Sequence, residues 1–321
     1  MRRLLIAAAA TAVLAAGTLV IGRTAPGDEE QAARDADRAF IANLRKGDQR
    51  AVGALLGRRF TFVDHDGKTR SRRETLADFS ALVAANESER DVETHFYGRM
   101  FTVRGVHDNA RFLRVFVKRR HSWKAFLLLE TPIATGGRPA SVEQAAGAGE
   151  CDNPCRSVPY TPKTQMDKDI LAAWQQTKMH EWKPDAAQWA SFIADEFMII
   201  NNTTIRDREQ RVAIAKRQQD AGVGTPGDPV VVMQIFDFGT NSALMLSQHT
   251  PYRGGRPYIN VRIWVFRDNR WQLALSQQVA IQSATAFPRP WGANNNSLRR
   301  LGNVLGNKSL RLGQLTRCGA S

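Results

Sequence analysis

Three sets of residues in this 321-residue chain have the types and spacing to carry chemistry. The first is Asp64-His65-Asp66-Gly67, two carboxylates and an imidazole in a row, the groups that general acid–base catalysis uses. The same tetrapeptide suits a tight turn, because Asp bonds its own downstream backbone and Gly supplies a left-handed conformation. Its counterpart later in the chain, Asn201-Asn202-Thr203-Thr204, keeps the turn chemistry and has neither imidazole nor carboxylate. Asp64, His65 and Asn201 are therefore pocket candidates, with a turn as the preferred reading and no catalytic role assigned.

The second set is Cys151 and Cys155, in a stretch rich in Gly, Pro and Ala. A close cysteine pair in a loop points to a small disulfide in an oxidising compartment. Three residues separate the pair, where redox motifs have two. No third Cys and no His accompanies them to complete a zinc site, so neither metal nor cofactor is expected. The third set is a stripe of alternate residues, Tyr258, Asn260, Arg262, Trp264 and Phe266. Shifting back by 148 gives Phe112, Arg114, Phe116 and Lys118, so an Arg beside a large aromatic recurs. These residue types are enriched at binding surfaces. The stripe is read as the interface between two halves of the chain, with the wall of a ligand cavity as the rival. His95, His107 and His249 stand alone, the last two before turns where solvent exposure is ordinary. No His-x-Glu pattern, nucleophile elbow or Gly-rich phosphate loop followed by Lys occurs, so no catalytic residue follows.

The elements that must position these residues are legible from periodicity. Ile259, Val261, Ile263 and Val265 alternate with the stripe, the period-two pattern of a half-buried strand. Asp268-Asn269-Arg270 closes a hairpin whose second arm opens on Trp271. The segment from Arg111 to Ile133 repeats this pattern with Trp123 in the corresponding place. Upstream, Asp48, Val52, Leu55, Leu56 and Phe60 match Asp185, Trp189, Phe192, Ile193 and Phe197 at a spacing of 137. Ser71-x-x-Glu74 and Asp207-x-x-Gln210 are both capping boxes. Arg70 and Arg206 precede them. One fold is thus built twice, each copy reading helix, short helix, strand and turn, helix, then four long strands. Gly98 and Gly239 mark equivalent turns.

Arg2 and Arg3 precede an uncharged run of 18 residues, Leu4 to Ile21, the form of an export signal or a membrane anchor. Ala15-Ala16-Gly17 offers a cleavage site. The expected organisation is a signal peptide or anchor over residues 1–25, a tether near 25–31, a first domain over 31–133, a linker over 134–166, a second domain over 167–283, and a basic tail over 284–321. The body is expected to be periplasmic or secreted, or membrane-anchored outside the cytoplasm. The net charge is +14. The tail from Pro288 carries six of these charges and no acid, and the first 23 residues carry three, which leaves +5 for the body. Without base-stacking aromatics or a recognised module, nucleic acid is not an expected partner. The basic tail or the N-terminal segment could contact a membrane. Cys318 has no obvious partner.

Three helices followed by long strands, with Asp64-x-Asp-Gly, the Arg-x-Arg-Glu-type helix starts near 72 and 208, and Trp271-x-Leu-x-x-x-Gln, resemble the nuclear transport factor 2-like superfamily, and within it the SnoaL-like domains. The resemblance covers about residues 31–133 and 167–283. It implies an α+β fold of two tandem cone-shaped domains, each with three N-terminal helices packed on a curved, mostly antiparallel sheet. It also implies a small apolar ligand in the cone, because some members are ketosteroid isomerases, cyclases or dehydratases. Fold alone does not confer those activities. The expectation is an exported small-molecule binding or scaffold module whose repeats pack as an internal pseudo-dimer. The alternative is an isomerase, cyclase or hydrolase acting on a small lipophilic substrate.

Overall fold

The computed structural model describes residues 26–84, 89–134, 150–225, 227–239, 241–251 and 255–282. The expected export segment, the basic tail and Cys318 lie outside them. Among the described residues no helix is long and apolar enough to cross a membrane.

The first repeat opens with α1 (Pro26–Arg45), which buries Ala33, Phe40, Ile41 and Leu44 along one face. The helix starts inside the stretch expected to be a tether, with Asp28 and Glu29 in its first turn, where carboxylates favour the helix N-terminus. Next come α2 (Gln49–Leu55), β1 (Leu56–Val63), β2 (Thr69–Ser71), α3 (Arg72–Ala77) and α4 (Phe79–Ala84). Strands β3 (Arg90–Tyr97), β4 (Met100–His107), β5 (Ala110–Arg119) and β6 (Ser122–Pro132) complete it. The second repeat has α5 (Gln165–Trp182), α6 (Ala186–Ser191), β7 (Ile193–Ile200), β8 (Ile205–Asp207) and α7 (Arg208–Asp220), then β9 (Val230–Asp237), β10 (Ser242–His249), β11 (Tyr258–Arg267) and β12 (Arg270–Ala280).

The same local signals fold both copies. Asp48 and Asp185 cap α2 and α6, accepting from Ala51 N and Gln188 N. Ser71 with Glu74 and Asp207 with Gln210 form complete capping boxes. The two sheets have matching orders, β2-β1-β6-β5-β4-β3 and β8-β7-β12-β11-β10-β9. In each, one parallel pairing (β1 with β6, β7 with β12) joins an otherwise antiparallel meander. The fold is thus α+β, with two six-stranded mixed sheets. Three helices per repeat holds for the second copy only. In the first, α3 ends at Ala77 with Asp78 as its C-cap and α4 starts anew at Phe79, where α7 runs unbroken for 13 residues.

The central hairpins have two faces, and these settle where the stripe goes. Leu113, Val115 and Val117 on β5, with Ile259, Val261, Ile263 and Val265 on β11, belong to one core between the sheets. That core holds 22 buried apolar residues against 16 under the helices of each repeat. It is therefore the largest apolar unit among the described residues. The opposite face carries Phe112 and Phe116 into the core under α1, and Trp264 into the core under α5. The stripe Phe112, Arg114, Phe116, Tyr258, Asn260, Arg262 and Trp264 is thus not the interface between the repeats. The physical reason is the chemistry of the two faces. Aliphatic side chains make a dry surface that a second sheet can cover, whereas a buried Arg needs polar partners, which Asp37 on α1 and Glu89 supply to Arg114 and which Ser247 and His249 on β10 supply to Arg262.

Polar contacts complete the junction with a pseudo-twofold pattern. Gln282 N donates to Asp66 O at 2.9 Å, and Ala134 N donates to Asn202 O at 2.9 Å. The chain leaving each repeat's last strand therefore bonds the other repeat's first turn. Gly67 (φ +72°) meets that chain closely, since a Cβ there would lie 2.8 Å from Ala280 O. Arg111 Nη1 donates to Asn201 O at 2.8 Å, and Thr131 Oγ1 donates to Gln278 O at 3.1 Å.

The expected linker is partly built into the second repeat. Cys151 and Cys155 form a disulfide and are buried. Between them, the Asn153 side chain both accepts from Val230 N and donates to Val230 O, at 2.9 Å each. Asn153 thus extends the edge strand β9, and backbone groups at a sheet edge need such partners.

Candidate functional site

A cavity of about 100 Å³ lies under α5, between that helix and the helix-facing side of the second sheet. Residues 174, 177, 178 and 181 fall on one face of α5 by helical spacing, which brings Trp174, Thr177, Lys178 and Glu181 to it. Strand β11 contributes Tyr258, Asn260 and Arg262 through its period of two, and β12 contributes Ser276 and Gln278. Trp189 on α6, Phe197 on β7 and Arg211 on α7 close the sides.

Arg262 is the central feature. It is 4% exposed, and no carboxylate of the described residues lies within ion-pair reach of it. Its Nη1 donates to Ser247 Oγ at 2.7 Å, and its Nη2 lies 3.5 Å from His249 Nε2. His249 Nδ1 is 3.0 Å from the Asp228 carbonyl, which can only accept, so Nδ1 carries the proton and Nε2 is an acceptor. Ser247 Oγ, 2.9 Å from that Nε2, can then donate to it. The chain Arg262–Ser247–His249–Asp228 carbonyl is thus one of neutral dipoles, and the charge rests against the Trp174 ring at 5.2 Å. Burial pushes the guanidinium pKa down to about 10, with Tyr258 and Glu181 opposing. Burial, with Arg262 adding to it, pushes His249 well below its usual range and keeps it neutral.

The remaining charges largely satisfy one another. Glu181 accepts from Lys178 Nζ at 2.7 Å, Trp189 Nε1 at 3.2 Å and Arg211 Nη2 at 3.3 Å. Burial would raise the Glu181 carboxyl, but Lys178 and Arg211 outweigh it and hold the group below its usual value. Burial lowers Lys178, with Glu181 opposing. Arg211 lies over the Trp189 ring at 5.0 Å, and its buried Nη1 has no hydrogen-bond partner among the described residues. Among the described residues three cations and one carboxylate line the cavity, and hydrogen-bond donors outnumber acceptors.

The first repeat shows why this cavity exists. Helices α1 and α5 end 137 residues apart, at Arg45 and Trp182. At that spacing Phe40, Ile41 and Leu44 correspond to Thr177, Lys178 and Glu181. At 148, Phe112 and Leu128 correspond to Asn260 and Ser276. The five first-repeat residues are buried apolar core. Their counterparts are smaller or polar and line the cavity. Arg114, the counterpart of Arg262, is 1% exposed and fully paired. It bonds Asp37 at 2.7 and 3.1 Å and Glu89 at 2.8 and 3.2 Å. The counterpart of Asp37 is Trp174, so the second repeat has exchanged a counter-ion for an aromatic face.

The expected pocket candidates lie elsewhere. Asp64 accepts from Asp66 N at 3.1 Å and Lys68 N at 2.9 Å, and pairs with Arg70. Asn201 Oδ1 accepts from Thr203 N at 2.9 Å and Thr204 N at 2.8 Å. Both form turns. His65 is largely exposed, with Nδ1 3.8 Å from Glu130 Oε2. His107 and His249 are buried, contrary to expectation, because each faces the helix side of its sheet and stacks on a ring there (Phe112 at 5.3 Å, Tyr258 at 4.8 Å). Glu130 is buried with Oε1 3.8 Å from His107 Nε2, and neither atom has a hydrogen-bond partner among the described residues. Burial and the Asp64 charge push its pKa up to about 8. Among the described residues no group of three or more His, Cys, Asp or Glu could hold a metal ion.

Lys178, Glu181 and Arg211 were not singled out from sequence. The signal that finds them is the alignment of the repeats, in which charged residues replace Ile41, Leu44 and Thr75.

No protein family model matches the chain, and no curated protein does. The solved structures to which it is similar include NTF2-like proteins, a candidate ketosteroid isomerase and cystatin-like proteins. One is a candidate dehydratase of the NTF2-like family from Streptomyces avermitilis, 17% identical, covering 35% of this chain and 100% of that one with a TM-score of 0.31. Another is an NTF2-like protein of unknown function from Shewanella oneidensis, 11% identical, covering 36% and 99%, TM-score 0.30. A third is a candidate ketosteroid isomerase from Shewanella frigidimarina, 17% identical, covering 31% and 94%, TM-score 0.28. No activity is carried over from them.

Proposed function

We propose that the chain is an exported binding module in which the second repeat takes a small molecule and the first is a filled scaffold, the two packed as an internal pseudo-dimer of cone-shaped domains. The observation that carries this reading is the exchange of Phe40, Phe112 and Leu128 for Thr177, Asn260 and Ser276, which leaves a cavity of about 100 Å³ under α5. A 150 Å³ cavity accepts benzene, so this one suits a molecule of about four to six non-hydrogen atoms. Its walls include Trp174, Trp189 and Phe197, but its charged residues favour a polar ligand over the apolar one implied by the resemblance. A binding role is favoured over an isomerase or hydrolase because Glu181 is engaged by two cations and His249 is held inside a hydrogen-bonded chain. Neither is disposed as a general base.

Export is supported by the Arg2-Arg3 and Leu4–Ile21 pattern and by the Cys151–Cys155 disulfide. A reporter fused after residue 30 should be active only outside the cytoplasm. The binding reading is tested by ligand-observed NMR with fragments of four to six heavy atoms on the full chain and its Asn260→Phe variant. Saturation transfer to at least one fragment, lost in the variant, is expected. No transfer, or equal transfer to both proteins, would overturn it.

A further inference from the structure

The class of ligand follows from the charges that line the cavity, an inference that rests on the second repeat being the binding site. The Arg262 guanidinium has five N–H donors, and Ser247 and His249 engage two. Neither partner is negative. Arg211 adds a buried Nη1 and Trp174 a buried Nε1–H, neither with a hydrogen-bond partner among the described residues. Glu181, among the described residues the one carboxylate lining the cavity, already accepts from Lys178, Arg211 and Trp189. A neutral molecule would leave the cationic excess in place. An anion would remove it, in a site where few competing water dipoles screen the attraction.

Shape narrows the choice. Arg262 and Arg211 each lie over a tryptophan ring, at 5.2 and 5.0 Å, which restrains the plane of each guanidinium fork. A planar fork matches a carboxylate in two parallel hydrogen bonds. The first repeat supplies the internal precedent, because Arg114 makes such paired contacts with both Asp37 and Glu89. Where Asp37 stands in that repeat, Trp174 stands in the second, so the acid has been removed and the Arg kept.

We propose that the cavity of the second repeat binds a small organic carboxylate, with Arg262 as the primary donor and Arg211 and Trp174 as further donors. An incoming carboxylate plays beside Arg262 the counter-ion role that Asp37 plays beside Arg114, while Trp174 keeps its ring on the guanidinium. Given the cavity volume, the acid has about two to four carbons.

The test titrates the full chain with sodium acetate, propionate and butyrate at constant ionic strength, following thermal stabilisation and heat of binding. Acetamide serves as the neutral isostere and inorganic phosphate as the tetrahedral anion. Saturable stabilisation by at least one carboxylate, with none by acetamide, is expected. Arg262→Met should weaken carboxylate binding about ten- to hundred-fold, and Arg262→Lys should retain part of it. Should Arg262→Met fold poorly, Ser276→Leu restores the first repeat's residue and should abolish binding without touching a charge. Acetamide binding as well as acetate, or phosphate binding in preference to carboxylates, would overturn this proposal while leaving the binding-module reading intact. Binding of no probe would overturn the carboxylate, and only the fragment experiment above would then decide the broader reading. Carboxylate binding unchanged in both Arg262→Met and Ser276→Leu would place the site elsewhere and overturn both.

Discussion

Arg114 and Arg262 occupy the same position on the same strand of two copies of one fold, and both are almost wholly buried. Arg114 sits between two carboxylates under a helix whose core face is Phe40, Ile41 and Leu44. Arg262 sits beside a serine, a neutral histidine and a tryptophan, under a helix carrying Thr177, Lys178 and Glu181. The comparison separates two uses of a buried cation. In the first repeat the charge is closed off by its own chain and serves packing. In the second it is held in place by dipoles and left available. Duplication makes this division possible, because the shared aliphatic core ties the two repeats together whatever happens beneath either set of helices.

The sharpest way to break the comparison is to remove both arginines in turn. Arg114→Met strands Asp37 and Glu89 against each other under α1, and removing one partner of a buried ion pair costs about 3–5 kcal/mol. Arg262→Met strands no acid and deletes a buried charge, so unfolding free energy without added ligand should change by less than about 1 kcal/mol or rise. Chemical denaturation of the two variants measures both. Equal losses would mean that the two arginines play the same structural part.

Glu130 sharpens the comparison from the other side, since the second repeat holds Gln278 at the equivalent place. Its folded pKa is raised from 4.5 to about 8 by burial first and by Asp64 second. The folded state therefore keeps a proton that the unfolded chain has lost, and stability falls as pH rises through that window. The slope is at most about 1.4 kcal/mol per pH unit between roughly pH 4.5 and 8. Glu130→Gln should remove this slope, leaving the variant more stable than the parent at pH 8 and nearly equal at pH 4.5. Parallel stability curves for the two proteins would refute the assignment.

Much of the architecture was legible in the sequence because it rests on local, repeated signals. The caps at Asp48, Asp185, Ser71 and Asp207, the Trp123 and Trp271 strand starts and the glycine turns depend on neighbours a few residues away. The break at Asp78 and the start of α1 at Pro26 were not legible, since helix ends depend on what the helix packs against. The turn roles of Asp64 and Asn201 could be read from residue chemistry. Which face of β11 meets the other repeat could not be decided by alternation, which reports that two faces differ but not what covers each. The exposure expected for His107 and His249 failed for the same reason, because both sit at strand ends on the helix-covered side. The cavity itself is a difference between copies. It becomes readable once Asp37 is set against Trp174 and Phe112 against Asn260, a comparison of non-identical residues that a search for matching ones passes over.

The most direct measurement is a crystal structure of the full chain grown with acetate or propionate, in which the first repeat is an internal control within the same molecule. The account predicts planar carboxylate density against the Arg262 guanidinium in the second repeat, and none beneath α1, where Phe40, Phe112 and Leu128 fill the space and Arg114 keeps Asp37 and Glu89. Carboxylate density beneath α1, or an Arg262 side chain turned onto Glu181 with no anion beside it, would contradict the account.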